Sequence, residues 1–176
     1  LWETLGADMM PFDALNRGFG GARIAHLTHY AARIVKPYEP SLIVVMAGDE
    51  DLADVRGRRP EDVLAQMQIF LAAIRAHEVE APVLIVSVPP APMRMSRWPG
   101  AKRTNALLRQ LAEDRAPVHF IDLTPGFFTE EDELKDELFR WDGMSLSKQG
   151  YAYLTRQLKP KIREILQSRK SGAQTQ

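Results

Sequence analysis

The chain reads as a single α/β domain, a three-layer α/β/α sandwich around a parallel sheet, and three stretches carry that reading. Leu42 to Ala47 and Val83 to Val88 are short apolar runs, longer than a half-exposed strand needs and shorter than an ordinary helix, and they suit strands covered on both faces. Between them, helical spacing of apolar residues alternates with these runs, and the connections are short enough for right-handed crossovers. The first run stops at Gly48 and gives way to Asp49, Glu50 and Asp51 at the strand's carboxyl end, which is where open α/β sheets hold ligands.

Taken in order, residues 1 to 8 look like the end of a helix, with Leu1, Trp2 and Leu5 on one side. Asp13 to Asn16 is a short extended segment leading into Arg17-Gly18-Phe19-Gly20-Gly21, where three glycines within four positions permit backbone geometries that other residues resist. Ile24, Leu27, Ala31 and Ile34 then recur at helical spacing, and Pro37 and Pro40 end that helix. A basic loop, Arg56 to Arg59, precedes Pro60-Glu61-Asp62, a good helix start because proline suits the first turn and carboxylates suit the helix dipole. Val63, Leu64, Met67, Phe70, Leu71 and Ile74 are its apolar stripe. After the second strand come the stiff loop Pro89-Pro90-Ala91-Pro92, a helix from about Ala101 to Glu113, and a third strand, Val118 to Ile121. Ser147 caps a last helix carrying Tyr151, Leu154, Leu158, Ile162 and Ile165. We expect the domain to end at residue 168 and the polar tail 169–176 to be disordered.

Composition narrows the function. The chain has 176 residues, 45% of them hydrophobic, enough for one core. Acidic and basic residues balance at 23 each, so charge gives no reason to expect a nucleic-acid partner. The apolar runs are too short to span a bilayer. With no cysteine there is neither a disulfide nor a thiolate nucleophile. Nothing calls for a cofactor or a resident metal. Asp49, Glu50, Asp51 and Asp142 could gather round a hard cation, but adjacent residues on a turn point in different directions, and helix capping or solvation is their commoner fate. His26 and His29, three apart on a helix with no adjacent partner, are likewise read as packing or surface residues.

Three blocks carry a family resemblance: Asn16-Arg17-Gly18-Phe19-Gly20-Gly21, then Ala47-Gly48-Asp49-Glu50-Asp51-Leu52-Ala53, then Asp142-Gly143-Met144-Ser145-Leu146-Ser147 with Gly150-Tyr151. In order and spacing, and with the proline-rich loop and the Asn105-Ala106-Leu107 helix, the chain resembles the SGNH hydrolases, also called GDSL-type lipases and acylhydrolases. The resemblance runs from Leu1 to about Leu166. It implies a flavodoxin-like sheet and a serine esterase acting on an acyl ester of a small or carbohydrate-like molecule. In that chemistry a serine attacks the carbonyl, a histidine takes its proton, an aspartate orients the ring, and N–H donors hold the oxyanion.

Carried over by position, the resemblance implies a glycine donor at Gly21 and the orienting aspartate at Asp142. The other positions depart from it. Glu50 stands where the family has its oxyanion-hole asparagine, and Ser145 stands where it has its histidine. The nucleophile block is absent, because the chain begins with Leu1-Trp2-Glu3-Thr4-Leu5, a segment that follows that block in a bacterial branch of the family. We expect the natural protein to continue upstream, with the nucleophile's strand lying between a strand ending near Asn16 and Leu42 to Ala47. A carboxylate at position 50 cannot donate to an oxyanion, and a serine at position 145 has no basicity near neutral pH. Among the four histidines, His77 and His119 are expected away from the catalytic edge; His26 and His29 alone lie near it in sequence. Weak or absent ester hydrolysis is the expectation, with a non-catalytic ligand-binding or protein-interaction domain as the alternative. Oligomeric state and compartment are not legible.

Overall fold

The computed structural model describes residues 2–53 and 58–173. Among them, three parallel strands form one sheet in the order β1 (Ile43–Val45), β2 (Val83–Val86), β3 (Val118–Ile121). Ile43 pairs with Val83, and Ile85 pairs with Phe120, so the three carboxyl ends lie along one edge. Among the described residues six α-helices accompany the sheet: α1 (Leu5–Met9), α2 (Ile24–Ile34), α3 (Asp49–Leu52), α4 (Pro60–Ala76), α5 (Trp98–Asp114) and α6 (Lys148–Ala173).

β2 shows why the architecture has three layers. All four of its residues are buried, and successive side chains point to opposite faces. Val83 and Ile85 enter a core shared with Ile24 and Ala31 of α2, Met67 and Phe70 of α4, and Leu108 of α5. Leu84 and Val86 enter a second core with Met9, Phe127, Leu154, Leu158 and Ile162. Each core thus needs its own helical cover, α2, α4 and α5 on one side and α1 and α6 on the other. Truncating a residue such as Leu84 to alanine would cost about 2–5 kcal/mol.

β1 differs from the expected doubly buried strand. It covers three residues rather than six, and Val44 and Met46 are 42% and 44% exposed. The reason is its place at the edge of the sheet: among the described residues β1 pairs with β2 alone. Residues 13–16 form no strand. The last helix also runs further than the sequence suggests. α6 continues to Ala173, past residue 168 where the tail was expected to lose order. Arg169 donates from Nη1 to the Ser41 carbonyl at 2.9 Å, which ties this polar end of the helix to the segment before β1, and the Ser168 hydroxyl donates to the Glu164 carbonyl one turn earlier. Pro160 lies within this helix. Of the basic loop expected from Arg56 to Arg59, residues 56 and 57 lie outside the described residues.

Two glycines are required by close contacts rather than by turns. A Cβ on Gly126 would overlap the Tyr153 hydroxyl, which donates to the Leu123 carbonyl, and one on Gly150 would overlap the Leu138 carbonyl. Both hold α6 against the loops that lead to the carboxyl edge.

Candidate active site at the carboxyl edge

The turn after β1 is built from two tendencies. Gly48 adopts φ +120°, a conformation closed to residues with a side chain, and so turns the chain sharply out of the strand. The three carboxylates that follow open the short helix α3, where acidic side chains favour the N-terminus. They then diverge. Asp51 is fully buried, and its Oδ2 accepts the Ile24 N–H at 3.1 Å, which fastens the turn to the start of α2 just beyond the glycine loop. Its Oδ1 has no hydrogen-bond partner among the described residues. Burial pushes the Asp51 carboxyl above its ordinary range, and the Ile24 bond only partly opposes that.

Asp49 and Glu50 turn the other way, to an arginine the sequence did not single out. Arg94 lies on a 3-10 segment, Pro92–Arg97, that continues the proline-rich loop. Its Nη1 donates to Asp49 Oδ2 at 2.8 Å and its Nη2 to Glu50 Oε1 at 2.6 Å. Burial works against the Arg94 charge, but the bonds to Glu50 and Asp49 more than offset it, so the guanidinium pKa is raised. Burial and the neighbouring Glu50 charge push the Asp49 carboxyl up, with Arg94 pulling it down. Arg97 adds a second tie from the same segment, from Nη1 to the Leu52 carbonyl. The only signal in the sequence was charge: three consecutive carboxylates at a strand exit favour a cation nearby, but nothing local says which arginine supplies it.

The second loop, residues 142–145, is held by its own backbone. Asp142 Oδ1 accepts the Met144 N–H at 2.8 Å and the Ser145 N–H at 2.7 Å. The Ser145 hydroxyl, followed by these two N–H groups, holds the Asp142 carboxyl down at about 2. These bonds satisfy the Asp142 carboxylate without an imidazole partner, as the cost of an unpaired polar group requires. Gly143 takes φ +61°, its carbonyl accepts the Met93 N–H at 3.0 Å, and a Cβ there would press on Met93 Cγ at 2.8 Å. Met93 and Arg94 therefore bridge the 142–145 loop and the 49–51 turn. The buried Asn105 side chain braces the start of this bridge, accepting the Val88 N–H and donating to the Val88 carbonyl where β2 has ended.

Gly21 sits on an exposed turn at φ +69°, and no group among the described residues accepts its N–H. None of the histidines is hydrogen-bonded to Asp142 or Ser145 among the described residues. His26 Nδ1 accepts the Arg23 N–H at the start of α2, His29 packs edge-on against Tyr30, His77 closes α4, and His119 lies on β3, where burial lowers its pKa. Among the described residues no three acidic or histidine side chains approach closely enough to hold a metal ion, because Asp49 and Glu50 face Arg94 while Asp51 faces inward. No described helix is long and apolar enough to cross a membrane.

Comparisons with known proteins agree with this architecture. No curated protein matches the chain. Among solved structures, a carbohydrate esterase family 3 protein from Talaromyces cellulolyticus aligns at a TM-score of 0.73 and 18% identity, over 89% of this chain and 74% of the other. A GDSL-like lipase from Bacteroides thetaiotaomicron aligns at 0.73 and 19% identity, over 93% and 82%. A catalytic mutant of an acetylxylan esterase from Geobacillus stearothermophilus aligns at 0.66 and 18% identity, over 86% and 71%. At such identities the likeness is one of fold. The sequence itself supplies the family, since the model of the GDSL-like lipase/acylhydrolase family matches residues 1–153, and the chain belongs to that family.

Proposed function

We propose that the carboxyl edge is an SGNH-type acyl-ester site whose hydrolytic chemistry is weak or absent, with Gly21 and Asp142 at the positions of the family's glycine donor and orienting aspartate and Glu50 and Ser145 in the places of the oxyanion asparagine and the histidine base. One observation carries this reading: the side chain at position 50 is a carboxylate fixed by Arg94. A ligand carbonyl brought beside Gly21 would meet an acceptor where a donor is needed, and losing one such donor costs about 100- to 1000-fold in rate. At position 145 a serine, whose N–H is bound to Asp142, supplies no base. Short acyl groups on small or carbohydrate-like molecules are the substrate class, supported by structural neighbours described as a carbohydrate esterase and an acetylxylan esterase. A second reading, a non-catalytic ligand-binding or protein-interaction domain, draws on the same fixed Glu50, which suits recognition better than turnover.

Restoration separates the two. In a chain that carries a serine nucleophile, Ser145→His supplies the base and Glu50→Asn the neutral donor. Groups acting as a unit are non-additive, so each single change should recover little kcat/KM on a short acyl ester and the pair much more. A double variant that folds, as judged by circular dichroism, yet stays at background would favour the binding reading. An unmodified protein that already matches the double variant would remove the proposal.

A further inference from the structure

Arg94 is the one described residue whose side chain binds two of the three carboxylates of the 49–51 turn, and it follows directly on Met93, whose N–H is bound to the Gly143 carbonyl. Its side chain is 21% exposed and those of Asp49 and Glu50 are 44% and 31% exposed, so the fork is partly shielded from water. Both contacts are short and made by separate guanidinium nitrogens, a geometry that fixes direction as well as charge. Glu50 Oε1 is thereby committed to Arg94, and only Oε2 is left without a hydrogen bond among the described residues. What a ligand meets at position 50 is therefore decided by Arg94.

We propose that Arg94 is the positioning residue of this edge: its fork sets the direction of Glu50, and with Met93 it locks the 49–51 turn to the 142–145 loop in one register. The proposal rests on the reading of this edge as the ligand site, but its test does not depend on turnover. Removing the guanidinium leaves two adjacent carboxylates facing each other with no cation between them. Arg94 and Glu50 are the charged side chains acting on Asp49, so the Asp49 carboxyl must then hold its proton to higher pH. The backbone link has a separate signature, because a 3-10 segment released from the turn no longer holds Met93 against Gly143.

The experiment is NMR on the isotopically labelled protein, following the Asp49 carboxyl carbon against pH and the amides of Gly143, Met144 and Ser145, in the unmodified protein, Arg94→Met and Arg94→Lys. In Arg94→Met the Asp49 midpoint should rise by about one pH unit or more, and the three amides should shift. In Arg94→Lys the midpoint should return most of the way while the amides stay displaced, since lysine restores the charge but not the fork. An arginine that only neutralises charge would raise the Asp49 midpoint on removal but leave the loop amides in place. An unchanged Asp49 midpoint in Arg94→Met, or loop amides at their original positions, overturns the proposal. If Arg94→Met does not fold, Glu50→Gln tests the same fork from its other side: weakening the Nη2 arm should shift the same amides, and unmoved amides there also overturn it. Ester turnover can fail or succeed independently of each outcome.

Discussion

The 49–51 turn and the 142–145 loop stand at the same sheet edge, yet they satisfy their carboxylates in opposite ways. In the 142–145 loop the Asp142 carboxylate accepts the backbone N–H groups of Met144 and Ser145, so the loop supports itself. In the 49–51 turn the Asp49 and Glu50 carboxylates are matched by an arginine from another segment. A carboxylate met by nearby backbone N–H groups needs no outside partner, whereas adjacent carboxylates recruit a cation. The first arrangement is local and the second extends through Arg94 and Met93 to the neighbouring loop.

The backbone contrast gives the largest expected effect. Both regions turn on a glycine with positive φ, but Gly48 at +120° lies where a side chain is excluded, and its added Cβ would meet Val88 Cγ2 at 3.1 Å. Gly143 at +61° lies in the left-handed region that other residues enter at modest cost, and its close neighbour is a flexible methionine. Gly48→Ala should therefore destabilise by about 3 kcal/mol and Gly143→Ala by about 1–2 kcal/mol. Chemical denaturation of the two variants checks the order, and equal losses would break the comparison.

A smaller effect lies in the acid limb of stability, where the two regions should have opposite signs. The Asp142 carboxyl is lowered to about 2, so the stability it confers is fully present above the ordinary aspartate value and is lost as pH falls toward 2. Asp51 is raised by burial, so its ionisation costs the folded state, and its contribution declines as pH rises from the ordinary value through the folded one. Asp142→Asn should flatten the loss of stability below about pH 4, and Asp51→Asn should flatten the decline above it. Thermal midpoints measured from pH 2 upward for the three proteins read both slopes, and like signs would show that the two carboxylates share one environment.

Much of the fold was legible because it rests on local pattern. The apolar run of β2, the stripe of α4 and the Pro60 helix start are properties of neighbouring residues, and they appear in the structure where the sequence puts them. The exposure of Val44 was not legible, because an apolar run does not reveal whether its strand has a neighbour on both sides. The extension of α6 was hidden by its polar composition, since Ser168 and Arg169 are held there by carbonyls of Glu164 and Ser41, the latter 128 positions away. At the edge, the block around Asp142 could be read because its hydrogen bonds span two and three residues. Arg94 could not, because its partners lie 44 and 45 positions earlier and are brought to it only by the pairing of β1 with β2.

The most direct test of the account is turnover of p-nitrophenyl acetate by the unmodified protein, measured with and without a fluorophosphonate. An edge with a fixed carboxylate at position 50 and no base at position 145 should give a rate close to the protein-free background, insensitive to the inhibitor. A robust rate abolished by the fluorophosphonate would show that a serine nucleophile is activated by another group, and would contradict the assignment of Glu50 and Ser145 as the defects of this site.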